Sequence, residues 1–294
     1  MANPRKLDKR RKSVRNIRKI TRTMELIATA RFKRAMDRAA AATAYTNRIT
    51  ALVGDLARAG LDVSHPLLES RETTDRAMLL VLTANRGFCG GFNSNVIRAG
   101  VARWRELTAE VPNCRLEISG KRGIKGFVGR GIKPDERFTH FEDRPAFAEI
   151  ELLANRYLES YILGDLDRLD VVYARFESAS RQQVTIETLL PLGSLGGIES
   201  DQEGTARAES RYEFLPSPES ILEEVVPTSF KVRLFKCFLD SAVSEQIARM
   251  VAMKSATENA GDLIRQLSMA YNRARQGRIT SELMDVIGGV EAIS

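Results

Sequence analysis

Residues 13–42 read SVRNIRKITRTMELIATARFKRAMDRAAAA, thirty positions without a proline or a glycine. Within them Val14, Ile17, Thr21, Met24, Ala28, Arg31 and Ala35 recur at a 3-4 spacing, which lays them along one stripe of an α-helix. Ala28, Ala30, Ala35 and Ala39 to Ala42 are small enough to let a second helix approach closely. The clean stretch extends in both directions: residues 5–53 hold no Gly, and no Pro lies between Pro4 and Pro66. Pro costs roughly 3 kcal/mol and Gly about 1 in a helix interior, so this composition predicts one uninterrupted helix over Lys6–Ala57. At about 1.5 Å per residue such a helix is about 80 Å long, more than a domain of this size can enclose. It needs a partner.

The end of the chain supplies one. After Pro227 there is no further Pro, and residues 228–276 contain only Gly261, which predicts a second helix over Ser229–Ile287. Val243, Ile247, Met250, Lys254, Thr257, Gly261, Ile264, Ser268 and Tyr271 repeat the 3-4 spacing, flanked by Val251, Leu263, Leu267 and Ala274. Lys, Thr, Gly and Ser interrupt the seam, so the pairing is looser than a leucine zipper.

Between these helices the pattern changes to short apolar runs separated by Gly-rich turns. Strands are predicted at Met78–Thr83, Arg115–Ser119, Asp170–Phe176 and Val184–Leu190, with helices at Val96–Leu107, Ile124–Val128 and Phe147–Leu163. The alternation predicts a largely parallel sheet. The Gly-, Ser- and Glu-rich stretch Gly193–Ser210 reads as a linker. Two loops follow strands and open helices, Asn85–Asn93 and Gly120–Gly126, where phosphate-binding loops sit. Neither carries GxGxxG or GK[ST], so neither is read as a nucleotide site. The fold class is therefore α/β: a long antiparallel coiled coil of N- and C-terminal helices (1–60 and 211–294) around a central Rossmann-like α/β domain (75–210) without a nucleotide site.

Composition narrows the function. With two histidines, His65 and His140, and three spaced cysteines, Cys89, Cys114 and Cys237, no cofactor or metal is expected and no disulfide framework either. No apolar run is long enough to cross a membrane, and the basic start is not followed by an apolar signal core. Cys89 reads as a thiol packed under a tight turn rather than a nucleophile. The acidic pairs Asp165/Asp167 and Glu223/Glu224 read as solvent-facing. No catalytic constellation assembles. Residues 1–60 hold 16 Lys or Arg against 4 Asp or Glu, a net of +12, while the remainder sums to −5. That basic start reads as a solvated or partner-facing helix face, with a basic helical nucleic-acid-binding protein as the alternative.

The same segments carry a resemblance. Ser13–Ala28, the loop Thr83–Asn93, Ser244–Ala260 and Tyr271–Leu283 resemble, in order, the signatures of the gamma subunit family of F-type ATP synthases, with His65-Pro66-Leu67 and Leu189–Leu192 also in place. The resemblance implies a non-catalytic central rotor shaft, not an enzyme alone, that transmits rotation of a membrane c-ring to the catalytic subunits. It implies one copy per complex, with the alpha and beta subunits, the epsilon subunit and the c-ring as partners. The implied location is peripheral, on the cytoplasmic face of a bacterial inner membrane. Arg275 and Gln276, with Thr280 and Glu282 close by, match positions that contact a catalytic subunit. Met24 and Arg249 match shaft positions tied to coupling, and Tyr212 a foot position facing the c-ring. Arg11, Asn85, Leu215 and Gly277 depart from that family's usual residues, and the linker lacks a cysteine pair.

Overall fold

The computed structural model describes residues 3–58, 66–68, 71, 73–141, 145–192 and 218–291. It divides into two compact units, residues 31–248 and a second made of residues 1–30 with 249–294. Two long helices contribute to both: α1 (Pro4–Arg58) and α5 (Pro218–Glu291).

In the larger unit the chain runs β1 (Arg76–Leu82), α2 (Phe92–Glu110), β2 (Asn113–Ser119), α3 (Lys121–Val128), β3 (Glu136–Phe138), α4 (Phe147–Ile162), β4 (Arg168–Phe176) and β5 (Gln182–Leu190). The strands form one sheet in the order β3-β2-β1-β4-β5. β1 pairs in parallel with both β2 and β4, β3 joins β2 in parallel, and β5 closes the edge antiparallel to β4. Alternation along the strands divides the core into two layers. Met78, Leu80 and Leu82 of β1, with Leu169, Val171 and Tyr173 of β4, pack on α4 and on Val226, Phe230, Leu234 and Phe238 of α5. Ala77, Leu79 and Val81, with Leu116, Ile118, Val172 and Ala174, pack on α2 and α3. Such a two-faced apolar sheet is what short continuous hydrophobic runs encode.

Two expectations are corrected here. α5 begins at Pro218 and carries Pro227 inside it, not outside its start. Pro227 removes one backbone hydrogen bond, but Val226 and Phe230 beside it are 1% and 0% exposed. Burying two such side chains contributes about 1.5–3 kcal/mol each, enough to offset the roughly 3 kcal/mol of a helical proline. Asp167, read as solvent-facing, is 7% exposed. Its carboxylate accepts the backbone N–H groups of Asp75 and Arg76 at 3.0 and 2.9 Å and pairs with Arg71 at 2.5 Å. It ties the segment entering β1 to the segment entering β4. Asp165 and the Glu223/Glu224 pair are exposed as expected.

In the smaller unit α1 and α5 pair antiparallel. Val14 packs with Ala260 and Leu267, Thr257 Oγ1 donates to Thr21 Oγ1 at 2.8 Å, and the Arg11 guanidinium lies 4.8 Å above the Tyr271 ring. That cation–aromatic contact, with the Arg11–Asp8 ion pair at 2.6 Å, seats the Arg11 side chain on the partner helix. The buried stripe on α1 is Val14, Thr21, Glu25 and Ala28. Ile17 is 49% exposed, because Arg18 lies along the partner helix there, its guanidinium facing Gly261. On α5 the stripe runs through Met253, Ala260 and Leu267, a seven-residue spacing, and Lys254 turns outward.

Candidate functional site

Two places qualify: the crevice where an open parallel sheet ordinarily holds its ligand, and the charged face of the helix pair.

In such sheets ligands bind beyond the carboxyl ends of the strands, where the chain order reverses direction. Here that point lies between β1 and β4. It is occupied by α5. Ser244 is 0% exposed and its Oγ donates to the Ala174 carbonyl at 3.0 Å, at the end of β4. Phe238, Ser241, Ala242 and Glu245 lie over Leu82, Thr83 and Ser119, leaving a cavity of about 30 Å³. That is room for one water, against the ~300 Å³ or more of a small-molecule site.

The two loops that resemble phosphate cradles are bonded to each other. At the start of α3, Lys121 N–H donates to Asn85 Oδ1 at 3.0 Å, Arg122 N–H to the Ala84 carbonyl at 3.1 Å and Gly123 N–H to Thr83 Oγ1 at 2.9 Å. The amides that would hold an anion are spent inside the protein. Gly120 has a φ of +100°, and a Cβ there would stand 2.1 Å from the Thr83 carbonyl oxygen. The glycines of this loop serve close loop-on-loop packing, not approach to a phosphate. Asn85 also donates through Nδ2 to the Thr139 and Phe141 carbonyls, both at 3.1 Å. Cys89 is 2% exposed and accepts Asn93 Nδ2 at 3.0 Å, which fits a packed thiol.

Two of the buried charges of this unit, Asp170 and Glu117, are cross-braces that the sequence alone did not reveal. Asp170, fully buried, accepts Arg103 at 2.9 Å, Arg168 at 3.0 Å and Thr188 at 2.7 Å. Glu117 accepts the Tyr157 hydroxyl at 2.5 Å and Arg156 at 2.6 Å, fastening α4 to β2. Burial pushes the Glu117 carboxyl up, against the opposing pull of Tyr157 and Arg156. Asp240 on α5 is pushed up to about 6 by burial, with Lys236 and Arg175 opposing. Their only sequence signal was a charge inside an otherwise apolar run.

On the helix pair, Arg275 and Glu282 line one open groove of about 400 Å³ together with Pro4, Arg5, Asp8, Tyr271, Arg278 and Ile279. Glu282 accepts Arg278 Nε at 2.7 Å. Gln276 and Thr280 are exposed, one turn apart, and are not among the residues lining that groove. Met24 is half-buried, whereas Arg249 is 6% exposed. The Thr21–Thr257 register sets Arg249 opposite Thr29, so Met24 and Arg249 stand on different turns of the pair. Tyr212, Leu215, His65 and the Gly193–Ser210 stretch lie outside the described residues. Among the described residues no group of three or more His, Cys, Asp or Glu side chains is arranged to hold a metal, and no helix is long and apolar enough to cross a membrane.

A sheet whose ligand crevice is filled by its own helix, in a chain that also carries a paired-helix unit rich in surface charge, defines an α/β scaffold without an open ligand crevice at its switch point. The family is shown by comparison: a family model described as ATP synthase matches residues 3–293. An ATP synthase gamma chain of Rhodopirellula baltica is 63% identical over 294 residues, covering 100% of this chain and 99% of the relative. One from Rhodospirillum rubrum is 38% identical, with both chains covered in full. A chain in the cryo-EM structure of the Euglena gracilis mitochondrial ATP synthase (OSCP/F1/c-ring, rotational state 3) shares the fold. It has a TM-score of 0.64 at 19% identity, over 99% of this chain and 94% of that one. The chain belongs to the ATP synthase gamma-chain family. Nothing in these matches supports the nucleic-acid alternative.

Proposed function

We propose that this chain is the central shaft of a rotary ATP synthase, carrying the rotation of a membrane c-ring to the catalytic alpha and beta subunits. The observation that carries the reading is the filled crevice: a nucleotide-type sheet whose switch point is taken by Ser244 and its neighbours, within a chain of the gamma family from end to end. An α/β domain so closed is a platform, and we assign it to the membrane side, with Tyr212 facing the c-ring and the epsilon subunit docking nearby. Arg275, Gln276, Thr280 and Glu282 are assigned to contacts with the catalytic ring, and Met24 and Arg249 to the part of the shaft that couples rotation to catalysis. The location follows from the partners: peripheral, on the cytoplasmic face of a bacterial inner membrane. A shaft needs contacts that re-form at each step, and screened charge pairs on an exposed helix face are of that kind.

The test is reconstitution with alpha and beta subunits. The isolated chain is expected to turn over no ATP. A bead fixed to its α/β domain is expected to rotate in one direction when the assembled ring hydrolyses ATP. Hydrolysis by the isolated chain, or turnover by the ring with a stationary bead, would overturn the reading.

A further inference from the structure

Within the larger unit, α5 is held by polar ties as well as by apolar packing, and the ties form a pattern. Lys231 Nζ pairs with Glu151 Oε1 of α4 at 3.0 Å, and Arg233 Nη2 donates to Glu187 Oε1 of β5 at 3.1 Å. At about 100° per residue these two side chains leave α5 roughly 200° apart. Phe230, Leu234 and Phe238, which bury the helix in the α4 layer of the core, fall in the arc between them. The helix is therefore gripped on both flanks of its buried stripe. Farther along, Ser244 Oγ bonds the Ala174 carbonyl at 3.0 Å on the Arg233 side.

Glu187 is the centre of the firmer grip. Its Oε2 accepts the Tyr173 hydroxyl at 2.6 Å and Arg175 Nη2 at 2.9 Å, and Arg175 Nε donates to the same Tyr173 oxygen at 3.2 Å. One carboxylate thus turns one oxygen to β4 and the other to α5. Burial works to raise the Glu187 carboxyl, but the Tyr173 hydroxyl, Arg233 and Arg175 outweigh it and hold it below its ordinary value. The bridge stays charged at neutral pH.

Apolar attraction is non-directional, so it opposes separation of two surfaces more than the roll of a helix about its own axis. Charge-assisted hydrogen bonds are directional, and a pair on opposite flanks opposes roll in either sense. Where α1 meets α5 in this unit, Ala35 and Ala39 pack on Leu239 and Val243, side chains that can make no directional bond.

We propose that Glu187 with Arg233, and Glu151 with Lys231, are positioning pairs that lock the roll of α5 on the sheet and set the torsional stiffness with which the α/β domain turns this helix. The proposal rests on the shaft reading, since such stiffness matters to a part that carries torque. Glu187 is its main element, because its loss releases Arg233, Arg175 and Tyr173 together.

The test uses the reconstituted complex, with the catalytic ring locked by a non-hydrolysable nucleotide and a bead on the α/β domain. The angular variance of the bead is inversely proportional to the stiffness of the rotor. The double variant E187Q/K231M is expected to widen that variance about twofold, and K231M alone by less. Should E187Q fail to assemble, R233M removes the same bridge from the helix side. K231E should widen the variance, and the charge swap K231E/E151K should restore it. Ile150→Val, which trims the same apolar cluster, should lower the thermal midpoint and leave the variance unchanged. Wild-type variance in the double variant, no rescue by the charge swap, or equal widening by Ile150→Val would overturn the proposal. These outcomes are distinct from a wild-type bead that stays still while the ring hydrolyses ATP, which sinks the shaft reading and this one with it.

Discussion

Asp240 is 4% exposed on α5, and burial holds its carboxyl at about 6, with Lys236 and Arg175 pulling it down and Glu187 pushing it up. Its ordinary value is 3.8, so the folded protein binds this proton more tightly than the unfolded chain does. The sign follows: the group costs nothing below about 3.8, destabilises progressively as pH rises from there to about 6, and imposes its full cost above that. Asp240→Asn should therefore stabilise the chain at pH 7.5 by about 1–3 kcal/mol, with the gain shrinking towards pH 4. Urea denaturation of both proteins at the two pH values measures this, and a pH-independent difference would refute the assignment. Gly120 gives a second prediction at the same scale. An alanine there combines a left-handed backbone with a 2.1 Å approach to the Thr83 carbonyl, whereas Gly131 has a φ of +79° and nothing within 4 Å of its would-be Cβ. Gly120→Ala should lose about 2–5 kcal/mol and Gly131→Ala only about 1–2, so equal losses would mean that the backbone alone sets the cost.

The helix α1, and α5 beyond Pro227, were legible because residues 5–53 lack proline and glycine and residues 228–276 hold only Gly261, and the parallel strands because short apolar runs alternate with glycine turns. The inward face of the helix pair was legible only in part. Spacing alone cannot choose between Ile17 and Arg18, or between Met253 and Lys254, because that choice depends on what the opposite helix presents. Gly261 leaves room for the Arg18 guanidinium, and Ile17 turns out. Leu267→Ala, at a site 7% exposed, should accordingly cost about 2–4 kcal/mol, and Ile17→Ala, at 49%, under about 0.5. A thermal melt in which Ile17→Ala is the more damaging change would invert this picture. Gln246 was invisible as a feature: it is 1% exposed, and neither amide atom has a hydrogen-bond partner among the described residues. Replacing it by Leu should stabilise the chain by about 1–2 kcal/mol, since an apolar side chain leaves no orphaned donor or acceptor. A loss on the same melt would mean that the amide is satisfied after all.

At the scale of the molecule, the strand pattern announced a nucleotide-type sheet, and the missing glycine fingerprints argued against a nucleotide. Neither revealed that the chain's own C-terminal helix takes the ligand's place, because Ser244 and the β4 end it bonds are seventy residues apart. The groove joining Arg275 and Glu282 to Arg5 and Asp8 was hidden for the same reason: it exists only once the two ends of the chain pair. That groove separates two roles within the proposed ring contacts. Arg275 lines the groove together with Asp8 and Glu282, whereas Gln276 and Thr280 are exposed and do not line it. A charge-assisted hydrogen bond is worth about 1.5–3 kcal/mol and a neutral one about 1. In the reconstituted complex, Arg275→Ala should therefore reduce rotation-coupled ATP turnover by about tenfold or more, and Gln276→Ala by about fivefold. High salt should weaken the wild type towards the level of the arginine variant and leave that variant nearly unaffected. If both variants retain full coupling at low salt, these side chains are not where the shaft meets the ring.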